Sequence, residues 1–307
     1  MGFLHEFNDL AAHLAIQAPA RYKMPMITPL HKIEPISIRL AKNQEEIQAA
    51  QELRYQVFYE EYGAKADPET ARLKRDADPY DVVADHLIVV DNTISGPKPK
   101  IVGTYRVIQQ AAADKIGSFY SSAEYDITPL HNCGLNMLEL GRSCVLPEYR
   151  TRSVLQLLWQ GIANFVIENK VEILFGCASF HGSDVDAISR QLAYLHHYHL
   201  APPALRPVAR SERFIDMNLH PKEPLNPREI INTLPPLIKG YLRTGCMVGE
   251  GAVLDEQFNT IDVCIVLQTD MLASQYRKHY KLPLPDELSG NTDADVQSLF
   301  SRKQQKD

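Results

Sequence analysis

The chain has 307 residues, 45% of them hydrophobic and 23% charged, with a formal net charge of −6. Such a composition belongs to a globular protein of one large or two small domains, and no apolar run is long enough to span a bilayer. The acidic balance argues against a nucleic-acid partner, which calls for a basic footprint, while leaving room for local positive patches that meet a membrane surface or an acidic carrier protein.

Residues Phe3, Leu4, Phe7, Leu10, Ala11 and Leu14 recur at helical spacing, so residues 1–32 are expected to form an amphipathic helix and a linker. That helix has two readings, docking on the protein's own core or lying in a membrane interface. It lacks both a basic n-region and a long apolar core, so a cytoplasmic protein is expected, peripheral on the inner face of the membrane if the helix binds lipid.

Ile36 to Leu40 alternates as a strand, and Asn43 then caps a helix with Glu46 at the capping-box position. Arg54 and Phe58 lie one turn apart on it, and a polar loop follows from Gly63 to about Pro79. His86 to Val90 and Ile101 to Val107 read as a hairpin.

Leu138 to Val145 reads as a strand with Glu139, Gly141 and Ser143 on one face and Leu138, Leu140 and Arg142 on the other, stopped by Pro147. Val154 to Glu168 is an apolar-faced helix. Its start, flanked by Arg150 and Arg152, offers unpaired N–H groups and a partial positive charge to an anion.

Val171 to Cys177 reads as a buried strand of the parallel kind, and Ser183 with Asp186 as the start of another helix. An irregular proline-marked connection then leads to a late strand, Val263 to Leu267, and residues 283–307 are polar and expected to be disordered. Five dispersed cysteines, Cys133, Cys144, Cys177, Cys246 and Cys264, read as reduced thiols, and His196-His197-Tyr198-His199 as a polar helix end rather than a metal site.

The strand–turn–helix around Arg150 resembles the GNAT acyltransferase superfamily, whose turn holds the phosphate of the acyl donor. The resemblance implies an α/β (α+β) fold, a GNAT-like mixed, splayed central sheet flanked by helices, over residues 33–282, with an irregular C-terminal extension. The usual glycine-rich signature is replaced here by Arg150-Thr151-Arg152-Ser153-Val154-Leu155. Without those glycines a pyrophosphate fits less closely, which favours the single phosphate of acyl carrier protein over coenzyme A.

Arg54-Tyr55-Gln56-Val57-Phe58, Gly103-Thr104-Tyr105-Arg106 and Glu139-Leu140-Gly141-Arg142 resemble the matching segments of acyl-homoserine-lactone synthases, and Asp78 to Asp81 with Asp85 resembles their acidic loop. Pro235 to Gly245 and Asp255 to Leu267 resemble the C-terminal signature of ornithine N-alpha-acyltransferases of the ornithine-lipid pathway. This second resemblance implies transfer of a 3-hydroxyacyl group from acyl carrier protein to the α-amine of ornithine, giving lyso-ornithine lipid.

It implies Glu139 as the base and Arg54, Arg106 and Arg142 on the ornithine carboxylate, each of these four having a structural ion pair as its alternative. Asp81 and Asp85 are expected on the side-chain ammonium, or else in a solvated loop. Arg150, Arg152 and Ser153 are expected on the phosphopantetheine. No cofactor beyond that donor thioester, and no metal, is called for. The rivals are an autoinducer synthase and a non-catalytic membrane-binding or lytic protein.

Overall fold

The computed structural model describes residues 35–270 other than Pro97. The N-terminal amphipathic segment, the basic Arg277-Lys278-His279 and the polar tail lie outside the described residues.

Strand β1 (Ile36–Leu40) leads through the Asn43 cap into helix α1 (Gln44–Tyr55), where the Asn43 side chain accepts from Glu46 N at 3.0 Å. The Glu46 carboxylate does not return to the cap residue. It accepts from Lys42 N and pairs with Arg39 at 2.6 Å, fastening the helix start to β1. α1 then widens into a π-helical turn over Gln56–Glu61, and the following loop contains a short helix, Pro68–Leu73.

The hairpin forms as β2 (Asp85–Asp91) and β3 (Lys100–Gln109), antiparallel to each other. β4 (Met137–Val145) ends before Pro147, and helix α2 (Arg152–Glu168) is capped by the Thr151 side chain. β5 (Ile173–His181) follows. The next helix, α3 (Ser189–His199), starts later than Ser183 because Asp184, not Ser183, caps the preceding turn by accepting from Asp186 N at 3.0 Å.

The C-terminal part is less irregular than expected. After helix α4 (Pro236–Arg243), β6 (Ala252–Asp255) and β7 (Thr260–Gln268) enter the same sheet. The sheet order is β1-β2-β3-β4-β5-β7-β6, with short strands Phe214–Ile215 beside β6 and Met247–Val248 beside β7. All these pairs are antiparallel except β4 with β5.

The alternation of strand side chains divides the core between the two sheet faces. Leu138 and Leu174 pack with α1, α2 and α4, while Met137, Ile173 and Phe175 pack with Phe119, Tyr125 and Leu130 on the other face.

One parallel pairing decides where a ligand can enter. β4 and β5 are in register only from Met137↔Ile173 to Glu139↔Phe175, whereas β5 stays paired with β7 along its full length. Past Glu139 the two strands part.

Two local features hold them apart. Between Thr104↔Cys144 and Arg106↔Gly141, two residues of β4, Arg142 and Ser143, oppose one of β3, Tyr105, a bulge in which Arg142 takes φ 52°. The face alternation expected through Arg142 therefore stops at the bulge. Opposite, Gly176 has φ 153°, and a Cβ there would lie 2.1 Å from the Leu140 carbonyl oxygen, so only glycine permits this close crossing before the strands diverge.

Candidate active site

The parted strands open into a cavity of about 1010 Å³. Along β4, from Glu139 to Val145, it runs roughly 20 Å by strand rise. Arg150, Thr151 and Arg152 close one end beside the start of α2. Glu139, Ser121, Glu124 and Cys177 line the other, and Leu155, Leu158, Leu234, Leu237 and Tyr241 supply an apolar wall.

At that second end the Glu139 side chain is buried and accepts three hydrogen bonds. Tyr120 N donates at 2.8 Å to one oxygen, and Ser121 N at 2.7 Å and Ser121 Oγ at 2.5 Å donate to the other. Burial pushes its carboxyl above the usual range and outweighs these bonds. The glutamate is thus oriented by the turn at Tyr120–Ala123 rather than by an arginine.

Arg54, Arg106 and Arg142 interleave with Asp76, Asp78 and Asp81. Arg54 is 0% exposed; it grips Asp81 through Nη1 at 2.9 Å and Nη2 at 2.6 Å, lies 2.8 Å from Asp76 through Nε, and donates to the Asp76 carbonyl. Arg106 Nη1 meets Asp78 at 2.6 Å and Asp81 at 3.0 Å. Arg142 meets Asp76 at 3.0 Å and Asp78 at 3.3 Å, with its guanidinium over the rings of Tyr120 and Phe258.

Burial raises the Asp81 carboxyl, but the hydrogen bonds and charges of Arg54 and Arg106 prevail and hold it well below the usual range. Three positive and three negative groups so balance inside the fold, the structural alternative that the sequence left open for the arginines.

Of the six, Arg106 and Arg142 face the cavity, while Arg54 and Asp81 do not reach its wall. Asp85 does not reach it either, since it is half-buried at the start of β2 and accepts from Gln109 Nε2 at 2.9 Å. Contact of Arg54 or Asp81 with a bound acceptor would require the network to open, and contact of Asp85 would require it to leave Gln109.

At the other end, Arg150 forms a two-point pair with Glu61 at 2.6 and 2.5 Å and donates from Nε to the Val145 carbonyl. Thr151 and Ser153 share a hydroxyl contact of 3.0 Å; Thr151 and Arg152 line the cavity, and Ser153 lies just outside its wall. Phe58 is half-buried on the wall, whereas Trp159 fills the core against Tyr241 at 5.4 Å.

Three carboxylates of the wall escaped sequence reasoning. Glu124, Asp255 and Asp262 each place a carboxylate oxygen within 4.8 Å of the others, and they come from a turn, the end of β6 and β7. One signal was available: Asp262 stands inside the otherwise apolar run Ile261 to Leu267, where a charge has no structural excuse. In the histidine run at the end of α3, His197 contacts the His220 carbonyl and His199 the Tyr194 hydroxyl.

A sheet parted at one parallel pair, with a bulged strand and a helix start at the mouth, defines an acyltransferase of the GNAT class. Residues 53–160 match the family described as acetyltransferase (GNAT) domain. The chain is 46% identical over 252 residues to the L-ornithine N(alpha)-acyltransferase of Agrobacterium fabrum, covering 81% of this chain and 86% of that one. It is 45% identical over 248 residues to the enzyme of that name from Rhodobacter capsulatus, covering 79% and 93%. The chain belongs to the L-ornithine N(alpha)-acyltransferase family.

Overlap with solved structures is looser. The N-acyl amino acid synthase FeeM from uncultured soil microbes gives a TM-score of 0.41 at 10% identity, covering 79% of this chain and 94% of that one.

Proposed function

We propose that this acyltransferase moves a 3-hydroxyacyl group from the phosphopantetheine thioester of acyl carrier protein to the α-amine of L-ornithine, giving lyso-ornithine lipid. The relatives' shared name supports ornithine as acceptor. The observation that carries the reading is the cavity's two unlike ends, a helix start between Arg150 and Arg152 at one, and at the other the carboxylates of Glu139, Glu124, Asp255 and Asp262 beside Arg106 and Arg142. A donor with its phosphate at the first end extends its thioester toward the second.

In this reading the phosphate rests on the α2 start beside Arg150, Arg152 and Ser153, exchanging with Glu61 for the Arg150 guanidinium. The pantetheine amides run along the β4 edge that the parting from β5 leaves without a strand partner. The acyl chain lies against Leu234, Leu237 and Tyr241.

The acceptor carboxylate meets the cavity side of Arg106 and Arg142, where Arg106 Nε is enclosed without a hydrogen-bond partner. Arg54, Asp76 and Asp81 hold those two arginines in position. Glu139 takes a proton from the amine, directly or through water, as nitrogen bonds to the thioester carbon. When the tetrahedral intermediate collapses, the C–S bond breaks and that proton goes to the departing thiolate. The thioester is already activated, so the balance needs no metal or redox partner.

The product is a lipid precursor, which suits work in the cytoplasm at the inner membrane face. No described helix is long and apolar enough to cross a membrane. Surface attachment is assigned to the amphipathic N-terminal segment and the basic Lys239 and Arg243 of α4. Incubating the purified protein with 3-hydroxyacyl carrier protein and ornithine should yield N-acyl ornithine and free carrier thiol by mass spectrometry. Formation of an acyl-homoserine lactone from S-adenosylmethionine instead would reject the reading.

A further inference from the structure

We infer that the corner of the cavity formed by Glu124, Asp255 and Asp262 is the receptor for a primary ammonium on the side chain of the acceptor amino acid. The inference rests on the transfer reading above and names what selects the acceptor.

Three carboxylates gathered within 4.8 Å are costly together; the half-exposed Arg213 stands 3.5 Å from Glu124, and the charge of Arg142 also reaches that carboxyl. Two polar atoms at this corner lack partners. Asp262 is 7% exposed and Thr260 5%, both line the cavity, and neither Asp262 Oδ1 nor Thr260 Oγ1 meets a partner in hydrogen-bond geometry, although Thr260 and Ser179 stand close enough to ease the Asp262 carboxyl downward. Enclosed polar atoms in a cavity wall without partners mark the place of a missing donor. An ammonium supplies three donors and a charge of the needed sign.

Burial, and next the charge of Glu124, lift the Asp262 carboxyl to about 7, so the corner holds its negative charge reluctantly. A seated cation removes that reluctance.

The corner adjoins Glu139. Cys177 Sγ lies 3.3 Å from Glu124 Oε2 and 3.6 Å from Ser121 Oγ, which itself donates to Glu139. An amino acid with its α-amine at Glu139 and its carboxylate toward Arg142 therefore extends a short side chain toward Glu124 and Asp262. A divalent metal fits less well, because a hard cation collects six or more oxygens and Arg213 stands beside Glu124.

The test compares kcat/KM for ornithine and for norvaline, which keeps the carbon skeleton and lacks the ammonium. In Asp262→Asn and Glu124→Gln the ornithine-to-norvaline ratio should fall by about 100-fold, mostly through KM for ornithine. An unchanged ratio, even with both rates depressed, would overturn the inference and leave these residues a structural or proton-transfer part. If Asp262→Asn fails to fold by circular dichroism, Asp255→Asn at the half-buried position gives the same comparison.

Calorimetric titration of the wild type with Mg²⁺, Ca²⁺ or Mn²⁺ should show no binding that Asp262→Asn removes; such binding would make the corner a metal site and overturn the inference. Failure of the ornithine reading is separate. If the wild type prefers lysine, the ratio of lysine to norleucine still decides the fate of the receptor.

Discussion

In the proposed reaction Glu139 carries two duties, holding a turn in place and accepting a proton. Its three hydrogen bonds pin the Tyr120–Ala123 turn, and its burial keeps the carboxyl above the usual range, which makes it a stronger base than a free carboxylate. Glu139→Gln should lower kcat by about 100-fold or more, in the range of general-base losses, and should erase the acid limb of the kcat/KM profile against pH. Unchanged turnover or an intact acid limb would remove Glu139 as the base. Since the base must be ionised, wild-type activity rises with pH through its raised value.

Asp262 makes a prediction about stability. Its folded carboxyl is lifted from 3.8 to about 7, so the folded state binds a proton that the unfolded chain has released. This group therefore costs nothing below about pH 4 and progressively destabilises the fold as pH climbs toward 7. Asp262→Asn, measured by urea unfolding, should gain on wild type at pH 8 and show no such gain at pH 4; the opposite trend would mean that the carboxylate is stabilised rather than strained.

Among the elements, the loop from Asp76 to Asp81 is tied to α1, β3 and β4 by the arginine–aspartate network. Removing one member leaves buried charges unmatched, so Arg54→Met should cost about 3–5 kcal/mol in unfolding free energy even though Arg54 touches no part of the cavity. A loss under about 1 kcal/mol would show the network to be dispensable. Gly176→Ala tests the strand crossing. Its methyl group would collide with the Leu140 carbonyl, and shifting the backbones should cost about 1–3 kcal/mol and raise KM for the acyl donor. A variant with wild-type donor kinetics would mean that the parting of β4 and β5 does not depend on this glycine.

These elements were unequally legible. The hairpin and α2 could be read because periodicity and capping are local properties of consecutive residues. The bulge at Arg142 was not legible, because a non-glycine residue at φ 52° leaves no compositional mark and is imposed by the pairing with β3. The partial pairing of β4 with β5 also depends on β7, which lies some ninety residues further along the chain and claims the full length of β5.

At the scale of the whole molecule, the C-terminal third is what completes the site. β6 and β7 extend the sheet and bring Asp255 and Asp262 to face Glu124, so an acidic corner emerges from positions that no contiguous motif connects. From the acidic loop that resembles the one in acyl-homoserine-lactone synthases, Asp81 and Asp85 are expected on the side-chain ammonium, or else in a solvated loop. Folding spends Asp78 and Asp81 on arginines and holds Asp85 against Gln109. The helix start with its flanking arginines is local in sequence and remains so in space, although Arg150 is held by Glu61 and Ser153 lies outside the cavity wall.

The central claim is that one cavity joins the donor arm at Arg150 to the acceptor amine at Glu139. A crystal structure with a non-transferable thioether analogue of the 3-hydroxyacyl phosphopantetheine and with ornithine tests it most directly. The account predicts the phosphate at the start of α2, the pantetheine between β4 and β5, and the ornithine α-nitrogen within hydrogen-bond reach of Glu139. Density for the arm outside the parted strands, or ornithine bound remote from Glu139, would contradict it.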